Sequence, residues 1–145
     1  MQAAIFDGSP ELKLREKDIP TFYENEVLVK VTAAGICGTD SKILAGKSHS
    51  NPPVILGHEF CGKVVAVGPR VETIDIGYFV SVDPNIACGK CRFCKQGQVN
   101  LCQNLTAIGV DIDGGFAEYC AVPESQCYRI EGASPINAAL MEPLS

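Results

Sequence analysis

At 145 residues the chain is long enough to bury a core of its own, and its net charge of −5 with 12 scattered basic residues excludes nucleic acid or an anionic membrane as the main partner. No stretch approaches the roughly 20 apolar residues of a membrane-spanning helix, and MQAAIFDGSPELKLREKD lacks the apolar run of a secretory signal, so the expected setting is the cytoplasm. In that reducing compartment, eight irregularly spaced cysteines point to metal ligands or buried thiols and away from a disulfide framework.

Short apolar stretches broken by 14 glycines and 9 prolines read as a mainly β chain. Strands are predicted at 3–6 (AAIF), 12–16 (LKLRE) and 26–37 (EVLVKVTAAGIC). In the last, Val27, Val29 and Val31 share one face and Leu28 and Lys30 the other, which is the strand period of two. TDSKILAG (39–46) opens on Thr/Asp and ends on Gly, enough for two helical turns. Further strands are predicted at 62–68, 77–82, 116–122 and 127–130. A helix is predicted over 134–145, with Ser134 as N-cap and Pro135 at the first helical position. The pattern predicts a closed or partly open β-barrel with short helices, whose long irregular stretches, 38–59 and 83–114, carry the function.

The second stretch contains CGKCRFCKQGQVNLC, residues 88–102, with the spacing C-x2-C-x2-C-x7-C. Four thiolates on one short loop can surround a tetrahedral cation and close it off, as in a structural zinc site. The ferredoxin run places its fourth cysteine sooner and follows it with proline, whereas Gln103 follows Cys102 here. Gly89 and Gly97 permit tight turns, and Lys90, Arg92 and Lys95 offset the thiolate charge. Four buried or disulfide-paired cysteines remain the plain alternative. In the first stretch, Cys37 in GICGTD and His58-Glu59 in ILGHEF supply thiolate, imidazole and carboxylate, the mixture of an open catalytic zinc. By spacing alone, a His-Glu pair beside a strand reads equally as structural or surface.

The run GHEFCGKVVAVGPRV, with Gly57, His58, Glu59, Gly62, Gly68 and Val71 in step, is joined by GICGTD, the cysteine lobe, DGGFAEY and EPLS in one order. With these motifs the chain resembles, over essentially its whole length, the N-terminal GroES-like catalytic domain of zinc-dependent medium-chain alcohol and polyol dehydrogenases, in their sorbitol-dehydrogenase-like branch. The resemblance implies a mainly β, partly open GroES-like barrel occupying residues 1–145, with short helices and a structural-zinc lobe at about 84–104. It implies two Zn2+ ions, one catalytic at Cys37, His58 and Glu59 with Glu142 bound directly or through water, and one structural at Cys88, Cys91, Cys94 and Cys102. It also makes Thr39 the hydroxyl that passes the alcohol's proton onward.

Two positions depart from the family pattern. Lys42 stands where many relatives place the histidine that finishes the proton relay, and with an ordinary lysine pKa of about 10.4 it is a poor shuttle. A solvated helix residue is an equally open reading of Lys42, and His49 in the same loop is either a substitute or an ordinary loop histidine. Tyr78 follows Gly77 in place of the usual aspartate. Cys61, Cys120 and Cys127 match no ligand position and read as small buried hydrophobes.

The Gly-rich G-x-G-x-x-G turn of a dinucleotide-binding Rossmann domain does not occur in the chain, so NAD(P) is expected on a domain beyond Ser145. The implied reaction is oxidation of a polyol or secondary alcohol to a ketone or aldehyde by hydride transfer, with the chain inactive without its nucleotide domain. The implied partners are a small-molecule alcohol or polyol and, for the full-length protein, further copies of itself. A stand-alone zinc-binding structural or interaction module is the competing reading.

Overall fold

The structure is a computed structural model, and it describes residues 1–144. In chain order its elements are β1 (Gln2–Phe6), β2 (Leu12–Glu16), β3 (Glu26–Gly35), α1 (Gly38–Leu44), β4 (Val54–Ile55), β5 (Glu59–Val67), β6 (Phe79–Val82) and β7 (Asn85–Ile86). There follow α2 (Arg92–Lys95), β8 (Thr106–Ala107), β9 (Tyr119–Pro123), β10 (Cys127–Arg129), α3 (Pro135–Ala139) and α4 (Met141–Leu144). Single 3-10 turns occupy Val99–Leu101 and Glu124–Gln126.

A five-stranded antiparallel sheet, ordered β10-β6-β5-β3-β9, forms the body. A three-stranded sheet, β2-β1-β4, meets it where Ala4 N–H donates to the Phe116 carbonyl at 2.8 Å and Ala3 bridges Ala117. The sheets are joined at that side and do not close into a continuous barrel, so the expected partly open β architecture is borne out. The period of two in β3 holds in part: Val27 and Val29 are fully buried and Lys30 is exposed, but Leu28 on the opposite face is buried as well and Val31 is only half-buried. Val27 and Val29 pack with Phe60 and Val64 of β5, Val80 and Val82 of β6, and Ile108 in one core. A second cluster joins Phe6, Ile43 of α1, Val54 and Leu56, which seats α1 against the smaller sheet.

On the outer face of the large sheet, small residues admit a helix. Cys61, Ala138 and Ala139 pack together with Ala33 and Phe79 around them. The Cys61 thiol donates to the Pro135 carbonyl at 3.2 Å and the Ser81 hydroxyl to the Ala138 carbonyl at 3.0 Å, tying α3 down. Cys61 and Cys120 are buried free thiols, as expected. Cys127 is half-buried, packed against the main core, and burial pushes its thiol up to about 12.

The helix predicted over 134–145 is two single turns, α3 and α4, separated at Leu140. Pro143 would clash with the Ala139 carbonyl four residues back in a continuous helix, and it is tolerated because it lies in the first turn of α4. Ser134 caps α3 as predicted, its hydroxyl accepting from Asn137 N–H at 3.3 Å. The strand predicted at 116–122 begins only at Tyr119, because Phe116 instead donates to Leu56 and accepts from Ala4. Tyr78 packs on the core with the Arg129 guanidinium 4.1 Å above its ring centroid, so the unusual residue has found a packing role.

Gly62 faces the Lys30 carbonyl so closely that a Cβ would overlap it, and Gly68 stands likewise against the carbonyls of Tyr23 and Glu24. Gly62→Ala is expected to cost about 1–3 kcal/mol in urea unfolding by forcing β5 away from β3. Glu124 Oε1 accepts from the Thr73 hydroxyl at 2.7 Å and from Glu72 N–H at 2.9 Å, and the Thr73 N–H donates to it as well. These donors, Thr73 foremost, hold the carboxyl below its ordinary value. A lowered folded-state pKa means stability that is present above the unfolded value and lost as pH falls through the folded one. Glu124→Gln should therefore lower the urea midpoint at pH 7, with the difference from wild type shrinking below about pH 4.

Candidate metal centres

The ribbon of β7 and β8 opens into a lobe in which α2 and the 3-10 turn Val99–Leu101 bring four cysteines together. The sulfurs of Cys88, Cys91, Cys94 and Cys102 all lie within 4.8 Å of one another. Cys91 and Cys94 sulfurs are 3.5 Å apart, and those of Cys88 and Cys94 are 4.0 Å apart. A regular tetrahedron with metal–sulfur bonds of about 2.3 Å has edges of ~3.8 Å, so the lobe fits zinc in scale and in donor type. The electrostatics agree. Backbone N–H donors, Cys94 N–H first, draw the Cys91 thiol down to about 6. Cys94 is driven up to about 12 by desolvation and by the neighbouring sulfurs Cys91 and Cys102. Four thiolates this close repel one another until a cation lies among them.

The second cluster depends on the large sheet. Cys37 is the N-cap residue of α1, just past the end of β3, and His58-Glu59 stand at the start of β5. Antiparallel pairing sets Gly35 directly opposite Glu59. Gly35 has no Cβ, and any Cβ there would collide with the Glu59 carboxylate, so this glycine makes the room the carboxylate needs. Ligand atoms of Cys37, His58 and Glu59 lie within 4.8 Å of one another, with His58 and Glu59 both buried.

Asp40 belongs to this centre although the sequence reading passed over it. It is 2% exposed, and its Oδ2 accepts from Cys37 N–H at 2.8 Å while Oδ1 faces His58 Nδ1 at 3.5 Å. Desolvation pushes its carboxyl up, opposed by the Cys37 N–H and by His58. Asp40 Oδ1 and His58 Nδ1 are both buried and make no hydrogen bond to any other group, so a proton on Nδ1 would face Asp40 and leave the electron pair of Nε2 for a cation. A half-buried sulfur, an imidazole faced by a carboxylate and a second carboxylate therefore fit a zinc ion in donor type. The signal in the sequence was the acidic residue at the third helical position after Cys37, a local pattern shared with ordinary helix starts.

The other predicted residues fall around this cluster. Thr39 Oγ1 lies 3.6 Å from Cys37 Sγ. Glu142, on α4, is outside the 4.8 Å group but within the electrostatic reach of it. Burial raises its carboxyl, His58 lowers it, and Glu59 and Asp83 raise it further. Lys42 is exposed on α1 and in neither cluster. His49 is exposed, its Nε2 3.1 Å from Asp111 Oδ1, and likewise belongs to neither.

An open β architecture carrying one closed four-sulfur lobe and one mixed Cys/His/Glu cluster defines a domain with two sites suited to zinc. The model of the alcohol dehydrogenase GroES-like domain matches residues 23–132, and the chain belongs to that family. The chain is 45% identical to L-threonine 3-dehydrogenase of Pyrococcus furiosus, over 97% of this chain and 42% of that protein. It is 38% identical to L-galactonate-5-dehydrogenase of Escherichia coli, over 100% of this chain and 43% of that protein. The crystal structure of galactitol-1-phosphate dehydrogenase from Escherichia coli superposes with a TM-score of 0.93 at 31% identity, covering 99% of this chain and 42% of that one. The chain thus spans less than half the length of these relatives. Among the described residues, no helix is long and apolar enough to cross a membrane.

Metal analysis should find roughly two zinc ions per folded chain, and Cys94→Ser should leave about one and lower the melting temperature. His58→Ala should also leave about one while the remaining zinc keeps its four-sulfur absorption signature on cobalt exchange. A chain that binds no zinc at all with its four lobe thiols reduced would contradict both.

Proposed function

We propose that the chain is the catalytic part of a longer zinc- and NAD(P)-dependent dehydrogenase that oxidises the hydroxyl of a polyol or other secondary alcohol. The observation that carries this reading is the convergence of Cys37, His58 and Glu59 within 4.8 Å beside the Thr39 hydroxyl. Cys37, His58 and Glu59 would hold the catalytic zinc, with Glu142 as a further carboxylate near it. Cys88, Cys91, Cys94 and Cys102 would hold the structural one. Zinc in the first position supplies Lewis acidity, which brings an alcohol's ionisation toward neutral pH.

The chain's own residues then have defined work. Asp40 orients His58 and, through the Cys37 N–H, fixes the turn that presents the Cys37 sulfur. The Thr39 hydroxyl both donates and accepts, so it can take the substrate's hydroxyl proton while passing its own outward. Lys42, one helical turn further and exposed, donates but cannot accept, and it completes a path to solvent only through water. NAD(P), which a part of the protein outside these residues would hold, would supply the acceptor for the hydride that leaves with the electron pair of the carbinol C–H bond. The oxygen-bearing carbon becomes the carbonyl, and the proton goes to solvent. The lobe cysteines would surround a cation on all sides and would take no part in these transfers.

The test is steady-state oxidation of a panel of polyols, hydroxy acids and secondary alcohols by the full-length polypeptide with zinc and NAD or NADP. No turnover of any of them by the zinc-loaded protein would count against the reading. Residues 1–145 alone are expected to bind zinc without turnover. Thr39→Ala should lower kcat by about 100-fold or more with zinc content unchanged, and Thr39→Ser should recover most of it. Lys42→Ala should stay within about threefold of wild type, as befits a solvated position.

A further inference from the structure

We propose that Asp83 sets the charge preference of the substrate cleft, favouring a hydroxy compound that carries an ammonium group over one that carries a carboxylate or phosphate. This rests on the dehydrogenase reading above and names the substrate class of that same site. A cleft of about 360 Å³ is lined by Ser81, Asp83 and Asn85 at the end of β6, by Tyr128 of β10, and by Met141 and Glu142 of α4. That volume accommodates a small polar molecule. Glu142 connects the cleft to the Cys37, His58 and Glu59 cluster, since α4, which carries it, packs against β5, the strand that begins at Glu59. A molecule in the cleft therefore lies beside the reacting centre.

Both charged side chains lining the cleft are carboxylates, and Asp83 is the one that the dehydrogenase reading does not place beside the zinc. Its position is fixed on three sides. Asp83 N–H donates to the Gln126 carbonyl at 2.9 Å, and its own carbonyl accepts from Gln126 Nε2 at 2.9 Å. Gln126 is buried, which makes this double clamp a rigid one. The side chain is aimed as well: Oδ1 accepts from Asn85 N–H at 2.9 Å and from Asn85 Nδ2 at 3.1 Å. Both of those bonds fall on the same oxygen, so the carboxylate is oriented while keeping further acceptor capacity. The neutral groups around it offer less. The Ser81 hydroxyl is turned to the Ala138 carbonyl, and Met141 is apolar. A fixed negative charge on a partly dry wall attracts a cationic substituent and repels an anionic one, and it needs no rearrangement to do so.

The experiment uses three secondary alcohols of similar size: 1-amino-2-propanol (cation), 2,3-butanediol (neutral) and 3-hydroxybutyrate (anion). In the full-length zinc-loaded protein with its nicotinamide cofactor, kcat/KM for the cation and the anion is normalised to that for the diol. The wild-type cation-to-anion ratio is expected to exceed one by about tenfold or more, and Asp83→Asn should lower it by on the order of tenfold, mainly through KM. Asp83→Glu should retain the preference. An unchanged ratio in Asp83→Asn overturns the proposal, even if the melting temperature falls, because a purely structural role moves all three probes together. Should wild type turn over none of the probes, the dehydrogenase reading fails separately, and the proposal is then decided by binding. In the zinc-loaded chain, 1-amino-2-propanol should shift the Asp83 and Asn85 amide resonances at lower concentration than 3-hydroxybutyrate does. Equal shifts for the two would overturn it.

Discussion

Everything at the mixed metal cluster depends on the pairing of Gly35 with Glu59. One strand delivers Cys37 at its exit and the other presents His58 and Glu59 at its entry, and the antiparallel register sets these ends side by side. A slip of one residue would turn Glu59 to the opposite face and put a side chain where its carboxylate now lies. The hydrophobic pattern guards against that slip, because Val27 and Val29 on β3 and Phe60 and Val64 on β5 are all fully buried in one core. Gly62 does so sterically, since it leaves no gap between β5 and the Lys30 carbonyl.

The two cysteine-bearing centres answer different physical problems. The lobe is local: its ligands come from one loop of 15 residues, and its helix α2 has no buried residue. Little apolar burial holds such a segment, so the cation must contribute much of its order. The mixed cluster is the reverse case. Its ligands are placed by a ten-residue strand, a nine-residue strand and the capped start of α1, all seated on the core before any metal arrives. A site prepared in advance can leave a coordination position open for substrate, whereas a lobe ordered by its metal cannot.

Much of this was legible in the sequence, for reasons that differ by element. The period of two in EVLVKVT and the C-x2-C-x2-C-x7-C spacing are local patterns, and each translated directly into a strand and a four-sulfur cluster. Gly57-His58-Glu59 and Cys37 were legible as a motif, but the reason for Gly35 was not. Its partner lies far along the chain, and only the register reveals the collision a side chain would cause. Asp40 escaped notice because an acidic residue in a helix's first turn is ordinary, and its second role toward His58 exists only in three dimensions. The two-residue strands β4, β7 and β8 are too short to show any period. The break at Leu140 was readable in principle from Pro143, whose clash with the fourth preceding carbonyl forbids one continuous helix.

That break matters for how the chain could choose its substrate. Because the helical segment stops and restarts, α3 stays docked on Cys61 and Ser81 while α4 turns to bring Met141 and Glu142 over the cleft. The same strand, β6, anchors α3 through Ser81 and leads two residues later to Asp83 in the cleft wall. In the proposed reading, metal ligation and charge selection would thus fall to different carboxylates on different elements, Glu59 at the centre and Asp83 at the wall. The hydrogen bonds of Asp83 run to Asn85 and Gln126 and to none of Cys37, His58 and Glu59. The names of the relatives, an L-threonine 3-dehydrogenase and a galactitol-1-phosphate dehydrogenase, show one fold serving alcohols of different charge, so the choice between them lies in residues around the cluster and not in the architecture.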